Sequence, residues 1–240
     1  MGTLVAGIGT SHVPSVGVAF DQKQQEAPEW KPLFDGYKPA KAWLKETGVT
    51  HAVVFYNDHG TDFFYDKYPT FAMGAADEYA IGDEGWGVRP LPALRGDADF
   101  SWHLANSLVK ESEFDLTICQ EMVMDHGILV PMPLLFDYEP DWGVKTVPLA
   151  VNVLQHPLPT ARRLWKLGNA LRIAVESYPD DARVVIVGTG GLSHQLHGDR
   201  FGHMNEAWDN EFIDRIEDNP ESLIDMPHDE WMERGGAESV

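Results

Sequence analysis

Ala182 to His194 reads ARVVIVGTGGLSH: a run of β-branched apolar residues, then glycines, then a histidine. Such a run reads as a buried strand that stops where the glycines begin, since glycine lets the backbone turn sharply and admits a ligand closely. The pattern recurs far upstream. Thr3 to Gly9 (TLVAGIG) runs into Thr10-Ser11-His12, and Thr50 to Tyr56 (THAVVFY) runs into Asn57-Asp58-His59. Lys145 to Val153 (KTVPLAVNV) reads as a further strand.

Between and after these strands the period changes. Leu164, Leu167, Leu171, Ala174 and Val175 form one apolar stripe, which predicts a helix from about Thr160 to Ser177 behind Pro157 and Pro159. Trp102, Ala105, Leu108 and Val109 mark a second helix, and Trp208, Phe212 and Ile216 a third. Strands alternating with helices predict an α/β fold, its central sheet covered by helices on both faces. Ligands of such sheets bind at the carboxyl ends of the strands, so the active site is expected there. His12, His59 and His194 are then predicted to converge, with His126 of Asp125-His126-Gly127, in a loop after FDLTI, as a further candidate.

One histidine at a strand end is more often a hydrogen-bonded structural residue than a ligand. Three in the same topological place favour a shared site. His51, His103, His156, His203 and His228 lack that context and are expected on the surface or on helices, and His197 is expected in solvent. Cys119 reads as a small buried apolar residue. Gly60 to Asp99 has no clear period and is expected to line a pocket or a subunit contact. Nothing resembles an interdomain linker, so one domain is predicted.

Composition narrows the function. In 240 residues, 18 Lys and Arg face 38 Asp and Glu, a formal charge of −20, which makes nucleic acid and anionic membrane surfaces poor partners. No apolar run reaches the roughly 18 residues of a membrane span, and the N-terminal residues carry no basic secretory region. The expectation is a soluble, cytoplasmic protein. A single cysteine excludes an internal disulfide framework or a thiolate metal cluster built by this chain alone, whereas ten histidines invite nitrogen ligation. A site of imidazole and carboxylate suits non-haem Fe(II) and also zinc, and composition leaves both open. Gly7-x-Gly9 lacks the rest of a dinucleotide fingerprint, Gly188 to Gly191 lacks a P-loop lysine, and there is no G-x-S-x-G elbow or H-E-x-x-H helix.

Five motifs together are distinctive: GIGTSHVP (Gly7 to Pro14), YNDH (Tyr56 to His59), DEGWG (Asp83 to Gly87), MDHG (Met124 to Gly127) and GTGGLSHQLHG (Gly188 to Gly198). Over essentially the whole chain the sequence resembles the class III extradiol ring-cleaving dioxygenases, in particular the catalytic (beta) subunits of the protocatechuate 4,5-dioxygenase and gallate dioxygenase type. The resemblance implies an Fe(II) enzyme that cleaves a dihydroxy- or trihydroxybenzoate with O2 in aromatic catabolism. It implies His12 and His59 as iron ligands, His194 as acid–base, and His126 as a hydrogen-bonding residue of the pocket. It further implies a small alpha subunit or a fused equivalent, and an oligomer. The family's third ligand is a glutamate in a pattern like G-x-E-x-x-E. Gly236-Ala237-Glu238 supplies the first glutamate, which is not assigned to iron, and the ligand is expected just beyond Val240. Residues 1–240 thus read as a single catalytic domain lacking its C-terminal portion. VLQHPLPTARR (Val153 to Arg163) leans toward the gallate enzymes. A zinc-dependent hydrolase using the same histidines, or a non-catalytic relative, are the alternatives.

Overall fold

A computed structural model describes residues 1–236. Its strands are β1 (Gly2–Ser11), β2 (His51–Tyr56), β3 (Phe71–Gly74), β4 (Glu78–Ile81), β5 (Leu94–Arg95), β6 (Thr117–Cys119), β7 (Val123–Met124), β8 (Lys145–Val151) and β9 (Ala182–Gly190). Its α-helices are α1 (Pro14–Asp21), α2 (Lys31–Thr47), α3 (Ala98–Asn106), α4 (His126–Leu129), α5 (Pro131–Leu135), α6 (Ala161–Glu176), α7 (Glu206–Asp218) and α8 (His228–Gly235).

Among the described residues the main sheet has the order β1-β9-β2-β8-β3-β6. β1, β9, β2 and β8 are parallel, so their carboxyl ends share one edge; Ser11 pairs with Gly190 and Phe55 with Gly188. β3 is antiparallel to β8, which makes the sheet mixed. β4, β5 and β7 form a small second sheet, with Ile81 beside Met124.

Side chains alternate across each strand, and the core divides accordingly. Ala52, Val54, Tyr56, Val185 and Val187 face Leu44 of α2 and Ile128, Leu129, Met132 and Leu135 of α4 and α5. Val53, Val147, Leu149 and Val184 face Leu104 of α3 and Leu167, Leu171 and Val175 of α6. Burying each such leucine or valine is worth about 1.5–3 kcal/mol, so both layers contribute to holding the sheet.

α6 begins where predicted, Thr160 accepting from the Arg163 N–H at 3.2 Å. Leu164, however, is exposed, and the buried stripe runs through Leu167, Ala170, Leu171, Ala174 and Val175. The second predicted helix is α3 continued by a π-helical turn (Ser107–Glu111), and half of its expected stripe faces inward. Trp102 and Val109 are exposed, while Phe100, Leu104, Ala105 and Leu108 are buried. In the third helix, Trp208 is buried and Ile216 exposed. Gly60 to Asp99 is more ordered than its lack of period suggests, since it contributes β3, β4 and β5.

Candidate metal centre

His12 is the first residue after β1. Its N–H donates to the Gly190 carbonyl at 3.2 Å, and its Nδ1 lies 3.1 Å from Thr189 Oγ1 at the end of neighbouring β9. His59 sits three residues past β2 on a turn built around Asp58, which is fully buried and accepts the N–H groups of Gly60, Thr61, Asp62 and Phe63 at 3.0–3.1 Å. Burial pushes the Asp58 carboxyl up, against those N–H donors. The Tyr68 hydroxyl donates to the Asp58 carbonyl at 2.6 Å and closes the turn.

Asp125 Oδ2 then accepts both the backbone N–H of His59 at 2.7 Å and its Nδ1–H at 2.9 Å. The other oxygen, Oδ1, accepts the Gly127 N–H at 2.8 Å and caps α4. Burial would raise this fully buried carboxyl, yet the His59 bonds and the nearby imidazoles hold it below the usual carboxylate value. With Nδ1 donating, the His59 Nε2 carries the lone pair, and it accepts from the Asn57 amide at 3.0 Å. His126 is not in a loop, as the sequence suggests; it is the first residue of α4, where Glu84 Oε2 accepts its N–H at 3.0 Å and Oε1 its Nδ1–H at 2.5 Å.

These contacts gather three rings. The His59 and His126 centroids are 3.8 Å apart, His12 and His59 5.0 Å, and His12 and His126 5.5 Å, the ring of His12 standing nearly perpendicular to both. One ring nitrogen from each of the three lies within 4.8 Å of the others. Burial, with His59 and His126 alongside, lowers the His12 pKa to about 3, so its imidazole is neutral at physiological pH.

His194 follows β9 on a separate loop. Its N–H donates to the Gly235 carbonyl at 2.9 Å, and its Nδ1–H to the Leu192 carbonyl at 2.7 Å, which leaves Nε2 as the acceptor. A Cβ at Gly191 would stand 2.6 Å from the His194 ring, so only glycine allows the ring this seat. Ser193 anchors the loop to α7, its hydroxyl donating to Asp209 at 2.8 Å. His194 lies near enough to His12 to help depress its pKa.

Three imidazoles with Nδ1 tethered are a donor set that fits a divalent first-row metal, iron or zinc. His12, His59 and His126 are the residues that could hold it. Glu84, Asp125 and His126 also approach one another within 4.8 Å, but the carboxylate oxygens there already accept N–H groups. Glu238 and Val240 lie outside the described residues.

Several histidines fall elsewhere. His51, expected on the surface or a helix, is buried at the start of β2, its Nε2 3.1 Å from Asp97. His103 lies on α3 and bonds to Ala174 and Ser177 at 3.0 Å, and the rings of His156 and His228 meet at 5.4 Å. His203 bonds to the Arg234 carbonyl at 3.1 Å, and His197 is exposed. Cys119 is half-buried, which pushes its thiol up to about 11. The residues missed in the sequence are Glu84, Thr189 and the roles of Asp58 and Asp125. The Asp-His pairs 58–59 and 125–126 were visible signals, although Asp125 serves His59 and not its own neighbour.

Residues 6–240 match the family model described as the catalytic LigB subunit of aromatic ring-opening dioxygenase. A gallate dioxygenase of Pseudomonas putida is 46% identical over 160 residues, covering 67% of this chain and 47% of that protein. A 2,3-dihydroxyphenylpropionate/2,3-dihydroxicinnamic acid 1,2-dioxygenase of Photorhabdus laumondii is 33% identical over 187 residues, 78% of this chain and 55% of its own length. One of the same name from Mycolicibacterium smegmatis is 36% identical over 162 residues, 68% and 49% of the two lengths. The chain spans about half the length of the curated relatives it matches. With its histidines gathered at the carboxyl edge of a parallel sheet core, the chain belongs to the family of catalytic LigB subunits of aromatic ring-opening dioxygenases.

Proposed function

We propose that this protein is an Fe(II)-dependent extradiol dioxygenase that opens the ring of gallate or protocatechuate. By likeness to the family, His12 and His59 are the metal ligands in this reading, and His126, although within ligand range of both, acts with His194 on substrate. The observation that carries it is the group of three imidazoles within 4.8 Å, each tethered through Nδ1. Bound there, Fe(II) would supply Lewis acidity toward the ring hydroxyls and reducing electrons toward O2.

The chain's own residues hold and move protons. A catechol must lose protons to chelate a metal, and His194, whose Nδ1 is committed to the Leu192 carbonyl, takes one at Nε2 and returns it to a product oxygen later in the cycle. His126, with Nδ1 committed to Glu84, offers its Nε2 lone pair to a substrate hydroxyl and fixes its position. Both atoms of O2 enter the ring-opened product. The −20 charge is screened over roughly 8–10 Å, so local donors outweigh it for an anionic benzoate. The 46% identity to a gallate dioxygenase and the Val153 to Arg163 segment favour gallate as the first substrate to try. By likeness to the family we also infer a cytoplasmic, oligomeric enzyme with a small alpha subunit or its fused equivalent. Among the described residues no helix is long and apolar enough to cross a membrane.

Anaerobic reconstitution with Fe(II), followed by O2 uptake with gallate and with protocatechuate, tests the reading. Stoichiometric uptake and a ring-opened product are expected. Ester or amide turnover with Zn(II) and none of these products with Fe(II) would overturn it.

A further inference from the structure

Glu84 has no role in the reading above, yet it makes the closest polar contact to the histidine cluster. β4 and β7 are parallel with Ile81 beside Met124, and Glu84 and His126 follow these residues on adjacent exits. Both carboxylate oxygens go to His126: Oε2 to the backbone N–H at 3.0 Å and Oε1 to Nδ1 at 2.5 Å. The two side chains are 11% and 12% exposed, so water competes little for these bonds.

The loop that carries Glu84 is itself held. Gly82 donates to the Met124 carbonyl at 2.8 Å, and Asp83 accepts the N–H groups of Gly85 and Gly87 at 2.9 Å. Beyond them Arg89 pairs with Asp21 at the end of α1 through two bonds of 2.8 Å and donates to the Leu129 carbonyl of α4. Glu84 is thus aimed by a framework that ties together the helix following His12 and the helix starting at His126.

We propose that Glu84 is a positioning residue that fixes His126 as the Nδ1–H tautomer and turns its Nε2 toward His12 and His59. An ionised carboxylate can only accept, so the proton of a neutral His126 ring sits on Nδ1 and the lone pair on Nε2. The second bond, to the backbone, sets where the ring starts and so where it points. The grip repeats that of Asp125 on His59, one carboxylate taking the N–H and the Nδ1–H of the same residue. Two histidines from different loops are presented by one device, and their rings lie 3.8 Å apart at 31°. With both oxygens accepting N–H groups, Glu84 supports the site and is no ligand in it. The orientation stands on geometry; only its kinetic consequence rests on the proposed dioxygenase reading.

The test is the imidazole nitrogen spectrum of 15N-labelled, chelator-stripped protein, with His126 identified by its loss in His126→Gln. Wild type should show a protonated Nδ1 and an unprotonated Nε2. Glu84→Gln keeps one acceptor oxygen and offers an amide to the other donor, so the pair should shift toward the Nε2–H form. Glu84→Ala should do the same, which leaves a readable variant should either fail to fold, and Glu84→Asp should restore part of the original pattern. In the Fe(II) enzyme, Glu84→Gln should lower kcat by about 10- to 100-fold with iron retained and KM little changed. A His126 tautomer unchanged in Glu84→Gln or Glu84→Ala overturns the proposal. Should wild type show no ring cleavage, the dioxygenase reading falls while the nitrogen spectrum still decides the role of Glu84.

Discussion

Strand β2 starts at His51 and hands over to His59 three residues past its end, and each histidine meets a carboxylate. At the start, both ring nitrogens belong to the fold: Nε2 lies 3.1 Å from Asp97 and Nδ1 2.8 Å from Thr50 Oγ1, with the ring packed 4.7 Å from Phe100. Asp97 also caps α3 and binds Lys145 at 2.5 Å. Beyond the far end, Asp125 holds the His59 ring by Nδ1, and Nε2 accepts from the Asn57 amide at 3.0 Å, while a ring nitrogen of His59 lies within 4.8 Å of two further imidazoles. A histidine–carboxylate pair is therefore no functional signal in itself. What separates the two ends is a second imidazole within ligand range.

Exchanging the two ends in experiment sharpens this contrast. The largest effect is expected from His59→Ala, which should release the metal on dialysis and abolish turnover, whereas His51→Ala should keep a full metal complement by elemental analysis. Equal metal loss in both would break the contrast. Next comes His194→Ala, expected to retain iron but lose about 10²- to 10⁴-fold in kcat, the range for a general acid–base; loss of iron would make His194 a ligand. Asp125→Asn should weaken metal binding by about 10- to 100-fold, read by competition with a chelator.

Asp97→Ala, by contrast, should leave metal affinity alone and cost about 1–2 kcal/mol through the lost cap, roughly 2–8 °C in a thermal melt. The smallest effect is a pH dependence. Burial lowers the His51 pKa from 6.5, with Asp97 opposing, so folding favours the neutral ring; this stability is complete above pH 6.5 and declines as pH falls below it. Burial works against Asp97 too, but Lys145, the Phe100 N–H and His51 hold its carboxyl below the ordinary 3.8, a contribution present above that pH and lost only below it. Melting temperatures of His51→Gln should therefore fall less than wild type between pH 6.5 and 5, and an unchanged slope would remove His51 from the account.

Much of this was legible in the residues. β1, β2, β8 and β9 are continuous apolar runs, and the glycines and polar residues after three of them mark where histidines can gather. α6 was legible because its period is long. β3, β4, β5 and β7 were not, since two to four residues carry too little pattern to separate from a loop. The face of α3 is only half legible: Ala105 is buried as expected, but Trp102 is apolar yet 40% exposed, and Phe100 and Leu104 take the core. Carboxylate partners escaped for a different reason. Asp97 lies 46 residues from His51, Glu84 42 from His126 and Asp125 66 from His59, and only the order of strands brings them together.

The pairing of β1 with β9 has a consequence for when the centre can exist. Gly2 lies beside Ala182 and Ser11 beside Gly190, and among the described residues β1 forms an edge of the main sheet with β9 as its one partner there. During synthesis β1 has no mate until β9 is made, and closing so long a loop is slow compared with forming local helices. His12 therefore joins the other imidazoles only once β9 is in place, so the three-imidazole group is completed late in folding.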